Sequence, residues 1–152
     1  NFTIVPILVG SLNAADEIKF GNILQKYFDT PENLFIISSD FCHWGSRFSF
    51  QFYDRKFGEI YKSIEWLDHQ GMSLIEKQDA DGFREYLKKF RNTICGRNPI
   101  CLLLHLINRS KLNFSVEFTK YAQSSQCKQR SDSSVSYASC IVTETNDGNS
   151  GQ

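Results

Sequence analysis

Net charge is the first thing this chain lacks: 17 Lys and Arg stand against 17 Asp and Glu, a formal charge of +0 at pH 7. No global field draws it to nucleic acid or to an anionic membrane, so neither is expected as a partner. No apolar run is long enough to span a bilayer, and no charged n-region with an apolar core opens the chain; membrane insertion and a secretory leader are both unexpected. A Gly-rich phosphate loop, a paired-cysteine zinc pattern and a helical His-Glu-x-x-His are all missing, and with them the signatures of P-loop nucleotide binding and of the common zinc sites. Disulfide staples are not expected either. The five cysteines, Cys42, Cys95, Cys101, Cys127 and Cys140, are odd in number and widely spaced, which reads as reduced thiols in a cytoplasmic protein. There is no internal repeat.

What is present suffices for one core: 152 residues, 41% of them hydrophobic and 14% aromatic. Residues 2–10 read as a strand that Pro6 confines to an edge or a bulge. Residues 13–28 read as a helix with Phe20, Ile23, Leu24 and Tyr27 on its inward face, and residues 34–37, Leu-Phe-Ile-Ile, as a strand buried on both sides, completing a βαβ unit. Residues 47–53 are expected as a loop. Helices follow over 54–69, with Gly71 as the stop, over 72–77, from Asp79 or Asp81 to Phe90, and over 100–108, the last capped by Asn98 with Pro99 in its first turn. Residues 114–119 and 134–143 alternate as strands around a polar loop at 123–133. The domain is expected over 1–143 and a tail over 144–152, disordered from Asn146 onward.

The chemistry concentrates in Ser38-Ser39-Asp40-Phe41-Cys42-His43-Trp44-Gly45. It lies beyond the carboxyl end of an expected buried strand, where open α/β sheets bind ligands. A carboxylate near an imidazole fixes its tautomer and raises its basicity, so Asp40 and His43 are candidates for acid/base or metal-site roles. The alternative is that Asp40 caps a turn and His43 is structural. Cys95 precedes a helix N-terminus and has Arg97 beside it, a setting in which thiolates act as ligands or nucleophiles; its alternative is a small buried hydrophobe. Cys42 is expected to pack inward, Cys101 and Cys140 to be core, and Cys127 to sit in a polar loop open to oxidation. His69 is expected to cap a helix C-terminus and His105 to be a satisfied core histidine.

The stretch 38–45, Gly58-Glu59-Ile60-Tyr61-Lys62-Ser63-Ile64-Glu65, Asn92-Thr93-Ile94-Cys95-Gly96-Arg97-Asn98-Pro99-Ile100, Tyr121-Ala122-Gln123-Ser124-Ser125-Gln126-Cys127 and Asp132-Ser133-Ser134-Val135-Ser136-Tyr137-Ala138 together resemble the Memo family, mediators of receptor-driven cell motility. The resemblance runs in one register from about residue 2 to 141 and corresponds to the second half of that family. It implies an α/β fold similar to that of class III extradiol dioxygenases, a mixed sheet with helices on both faces. It implies a pocket for iron or copper in the intact parent, with Cys95 as metal ligand beside two histidines of the first half, and with Asp40 and His43 lining the pocket on its acid/base side. A ligand set so reduced would hold a metal weakly in this chain alone, with Cu(I) the best match to a thiolate. The resemblance further implies a redox and signalling role, cytoplasmic or nuclear. An extradiol-type dioxygenase, or a module binding phosphotyrosine peptides or signalling proteins through a rim of Phe48, Phe50, Phe52 and Tyr53, are the alternatives.

Overall fold

A computed structural model of the chain describes residues 1–145. Helix α1 (Ala14–Phe28) starts where its capping chemistry dictates: the Asn13 side chain accepts the Asp16 N–H at 2.9 Å and the Asp16 carboxylate reaches back to the Asn13 N–H. Helix α2 (Ile60–Glu76) runs straight through Gly71, so the two helices expected over 54–69 and 72–77 are largely one. Gly71 is a contact and not a stop. A Cβ there would lie 3.0 Å from the Tyr86 ring of α3 (Ala80–Phe90), and its absence lets the two helices close up. Residues 55–57 form a short 3-10 turn capped by Asp54. Asp79 caps α3 by accepting the Gly82 N–H at 2.8 Å. Helix α4 (Arg97–Arg109) begins on Gly96 without a side-chain cap; Asn98 instead donates to the Gly10 carbonyl at 2.9 Å.

Three strands make one sheet in the order β1-β3-β2, all antiparallel: β1 (His43–Trp44), β2 (Asn113–Gln123) and β3 (Ser134–Thr145). β2 and β3 pair along their length, with a bulge between Phe118 and Lys120. The core lies between α2, α3, α4 and β2, around Leu67, Ile75, Phe83, Ile94, Leu104, Ile107 and Val116. β3 passes the domain boundary expected at 143 and ends at Thr145; the remainder of the expected tail, 146–152, lies outside the described residues.

The βαβ unit is the main correction. Residues 2–10 and 34–37 belong to no strand, and the described sheet is antiparallel where a mixed one was expected. A strand exists only through its ladder partner, and among the described residues neither segment has one. Phe35 and Ile37 turn inward, while Leu34 and Ile36 are 84% and 81% exposed. Helix α1 also presents a different face from the one expected. Glu17 and Gly21 are buried against α3 and α4, through an ion pair from Glu17 to Arg84 and close packing of Gly21 on His105; Phe20, Ile23 and Tyr27 face outward.

Apolar side chains exposed in such numbers, on extended segments without ladder partners, mark an association surface. The 152-residue chain is therefore expected to self-associate, and Leu34→Asp with Ile36→Asp to shift it toward monomer. Light scattering showing a compact monomer at all concentrations would contradict this.

His105 supplies a second prediction. Its Nε2 is buried without a hydrogen-bond partner, and burial, followed by the charges of Arg109 and Arg84, lowers its pKa against the opposing pull of Glu17. A base with a lowered folded pKa favours the native state most above its ordinary value of 6.5 and loses that contribution as pH falls toward the folded value. The melting temperature should fall as pH drops from 7.5 to 5.5, and less so in His105→Gln; equal slopes in the two proteins would refute the assignment.

Candidate functional site

The stretch 38–45 is fixed from both ends. The Phe41 N–H donates to Ser136 O at 2.8 Å, and the Ser136 N–H to Cys42 O at 2.9 Å, so the segment enters the sheet beside β3. Trp44 is fully buried and its Nε1–H donates to Phe52 O at 2.7 Å. Cys42 packs inward beside Trp44, as its place in the sequence predicts. Gly45 has φ 129°, and a Cβ there would sit 2.9 Å from the Asp132 carbonyl oxygen, so no other residue fits that turn.

The loop 92–96 forms the second wall. The Gly96 N–H donates to Ser39 Oγ at 3.0 Å, and the Ser39 hydroxyl donates to Asp40 O at 2.8 Å. Cys95 is exposed, and its Sγ accepts the Asp40 N–H at 3.0 Å. His43 is clamped by Thr93. Its N–H donates to Thr93 Oγ1 at 2.7 Å, that hydroxyl donates back to His43 O at 2.9 Å, and Nδ1 lies 2.8 Å from Thr93 O. A carbonyl oxygen only accepts, so Nδ1 carries a proton and Nε2 is left to take or give one. Nε2 lies 3.7 Å from Asp40 Oδ2. With the Asp40 side chain 43% exposed, this contact contributes little to stability and stays open to a ligand.

Asp40, His43 and Cys95 are thus brought together across 55 residues of sequence, Asp40 bonding to Cys95 through its amide and facing His43 through its carboxylate. Other expectations fare differently. Cys101 is core, as expected; Cys140 is exposed on β3; Cys127 is fully buried, and burial with Asp132 nearby pushes its pKa up to about 11. His69 lies inside α2, its Nδ1 bonded to Glu65 O and its ring edge-on to Tyr121, so it caps no helix end. His105, with Nε2 unpartnered, is not the satisfied core residue expected. Of the aromatic rim, Phe50, Phe52 and Tyr53 are half-buried against the core, while Phe48 lies 5.3 Å from the His43 ring with the Arg47 guanidinium over it.

Thr93 and Asp68 were not singled out in the sequence. Thr93 stands two residues before Cys95, and Asp68 is an acid on the buried stripe Ile64, Leu67, Gly71 and Ile75 of α2. Such a break in an apolar period is the signal that marks a buried polar position.

These placements predict how the thiols react. In the native protein at neutral pH a thiol reagent should modify Cys95 first, Cys140 more slowly because partial burial and Glu76 raise its pKa, and Cys42, Cys101 and Cys127 only on unfolding. Rapid native reaction at Cys127 would contradict the packing described.

Three potential ligands within reach of one ion are found nowhere among the described residues. Cys95 offers one sulfur and His43 one ring nitrogen, short of the ligand sets that hold iron or copper. By themselves the residues present do not fit such a metal.

The model of the Memo-like protein family matches residues 1–141. The chain belongs to the Memo family. It is 54% identical over 145 residues to Protein MEMO1 of Homo sapiens and to that of Rattus norvegicus, covering 93% of this chain and 49% of each relative. It is 48% identical over 146 residues to the Protein memo-1 homolog of Caenorhabditis elegans, covering 42% of that protein. This Memo chain therefore spans about half the length of the curated relatives it matches. No helix among its described residues is long and apolar enough to cross a membrane.

Proposed function

We propose that this chain carries one wall of a Memo pocket in which Cys95 presents a soft sulfur ligand and His43, with Asp40 beside it, handles protons. The observation that supports this is the convergence on Asp40, whose amide reaches Cys95 Sγ and whose carboxylate faces His43 Nε2. In the whole protein, iron or copper would take its other ligands from the part of the Memo length this chain does not span, within a mixed sheet of class III extradiol type. The role is redox and signalling in cell motility, cytoplasmic or nuclear, with signalling proteins or phosphotyrosine peptides as partners. Five free cysteines support the intracellular setting. A bound metal would supply Lewis acidity or electron transfer, and this chain's residues would supply a sulfur, an oriented imidazole and a carboxylate.

An extradiol-type oxygenase is the second reading, supported by His43 Nε2, which faces Asp40 Oδ2 at 3.7 Å while Nδ1 is held by Thr93 O, an arrangement that suits an acid/base. Bound iron and copper, measured in the full-length protein and in its Cys95→Ser variant, test the first reading. Loss of most of the metal is expected, and equal metal in both would refute the role of Cys95. Oxygen uptake with a panel of catechols separates the second reading from the first.

A further inference from the structure

We propose that Asp68 is the positioning residue of this site, tying together the two segments that hold His43. Asp68 is fully buried on α2, and no cation faces it among the described residues. Four donors converge on its carboxylate, each from a different segment. The Cys42 N–H (3.2 Å) and Asn92 Nδ2 (2.9 Å) reach Oδ1, the Tyr121 hydroxyl (2.8 Å) reaches Oδ2, and the Ser136 hydroxyl of β3 bonds to it as well. An ionised carboxylate is acceptor-only, the one common side chain that can receive all four. Burial raises the Asp68 pKa, and the four donors work against that rise by favouring the ionised form.

What the donors hold gives the residue its role. Cys42 precedes His43, and Asn92 precedes Thr93, whose hydroxyl and carbonyl clamp the His43 backbone and ring. The Asp68 carboxylate sets the spacing between these two segments, and through that spacing the bond from Nδ1 to Thr93 O that directs Nε2 toward Asp40. Tyr86 extends the network by accepting from Asn92 Nδ2 at 2.7 Å and donating to Leu67 O at 3.0 Å. No catalytic contact is assigned to Asp68.

The functional weight of this inference rests on the reading of His43 as the proton-handling residue. Its test reads a ring tautomer, so it can fail while metal content still depends on Cys95, and the reverse. Long-range proton–nitrogen NMR of the His43 imidazole in the 152-residue chain should show the neutral ring protonated at Nδ1 alone. In Asp68→Asn the amide meets donors where the carboxylate met them, and the single tautomer should be lost to a mixture. Val116→Ala, in the same core but not bonded to Asp68, should lower the melting temperature without moving the His43 signals. A folded Asp68→Asn chain with unchanged His43 signals, or equal movement in Val116→Ala, overturns the proposal. Should Asp68→Asn not fold, Asn92→Ala is read in the same way; unchanged His43 signals there overturn it too.

Discussion

Trp44→Ala should lower stability by about 3–5 kcal/mol, the usual cost of emptying a buried aromatic site. Trp44 is 0% exposed, packs with Cys42, Ile60, Ile64 and Cys127, and donates its indole N–H, its one side-chain donor, to Phe52 O. The substitution removes the ring and leaves that carbonyl without its partner. Because Trp44 packs in one cluster with Cys127, the loss should open that cluster: Cys127, shielded in the native protein, should become reactive under conditions that leave Cys101 protected. The midpoint of urea unfolding reads the first effect, and a change equivalent to under about 1 kcal/mol would show that the cluster does not anchor this stretch.

Gly96→Ala is expected to cost about 1–3 kcal/mol, the range for forcing extra volume into a packed contact. The backbone at Gly96, with φ −88°, suits alanine, so the cost is steric and not conformational. A Cβ there would come within 2.7 Å of the Ser38 carbonyl oxygen and 2.6 Å of Ser39 Oγ, in contact also with Ser39 Cβ. A hydroxyl can rotate away; a backbone oxygen moves only if the segment does. The two walls should part, breaking the bond from the Asp40 N–H to Cys95 Sγ, and hydrogen exchange at the Asp40 amide should quicken. Unchanged exchange there with wild-type stability would mean that the close approach is not required.

The helices were legible in place, though not in every boundary or buried face, because two carry capping residues and two keep their apolar period. Asn13 and Asp79 cap where their side chains reach the first turn, and the apolar period of α2 and α3 survives folding. Gly71 misled because a glycine that ends a helix and one that admits a neighbouring ring look alike in one dimension. Residues 34–37 misled for a different reason: their β-branched and aromatic content is a preference for a pleated surface, while a strand also needs a partner chain alongside. In the site, Asp40 and His43 share one short motif and could be read together. The meeting of Asp40 with Cys95 is long-range, and the family resemblance pointed to it before any local pattern could. Thr93 and Asp68 are harder to read from sequence, because a hydroxyl and a carboxylate turned inward leave at most a break in an apolar period, as Asp68 does on α2.

On the proposed function, this chain would supply one wall of a metal pocket and not a complete one. The direct measurement is the affinity for Fe(II) and Cu(I) of the 152-residue chain beside that of the full-length Memo protein, under reducing conditions. The account predicts binding weaker by about two orders of magnitude or more in the 152-residue chain, since affinity follows ligand number and preset geometry. Equal affinities in the two proteins would contradict it.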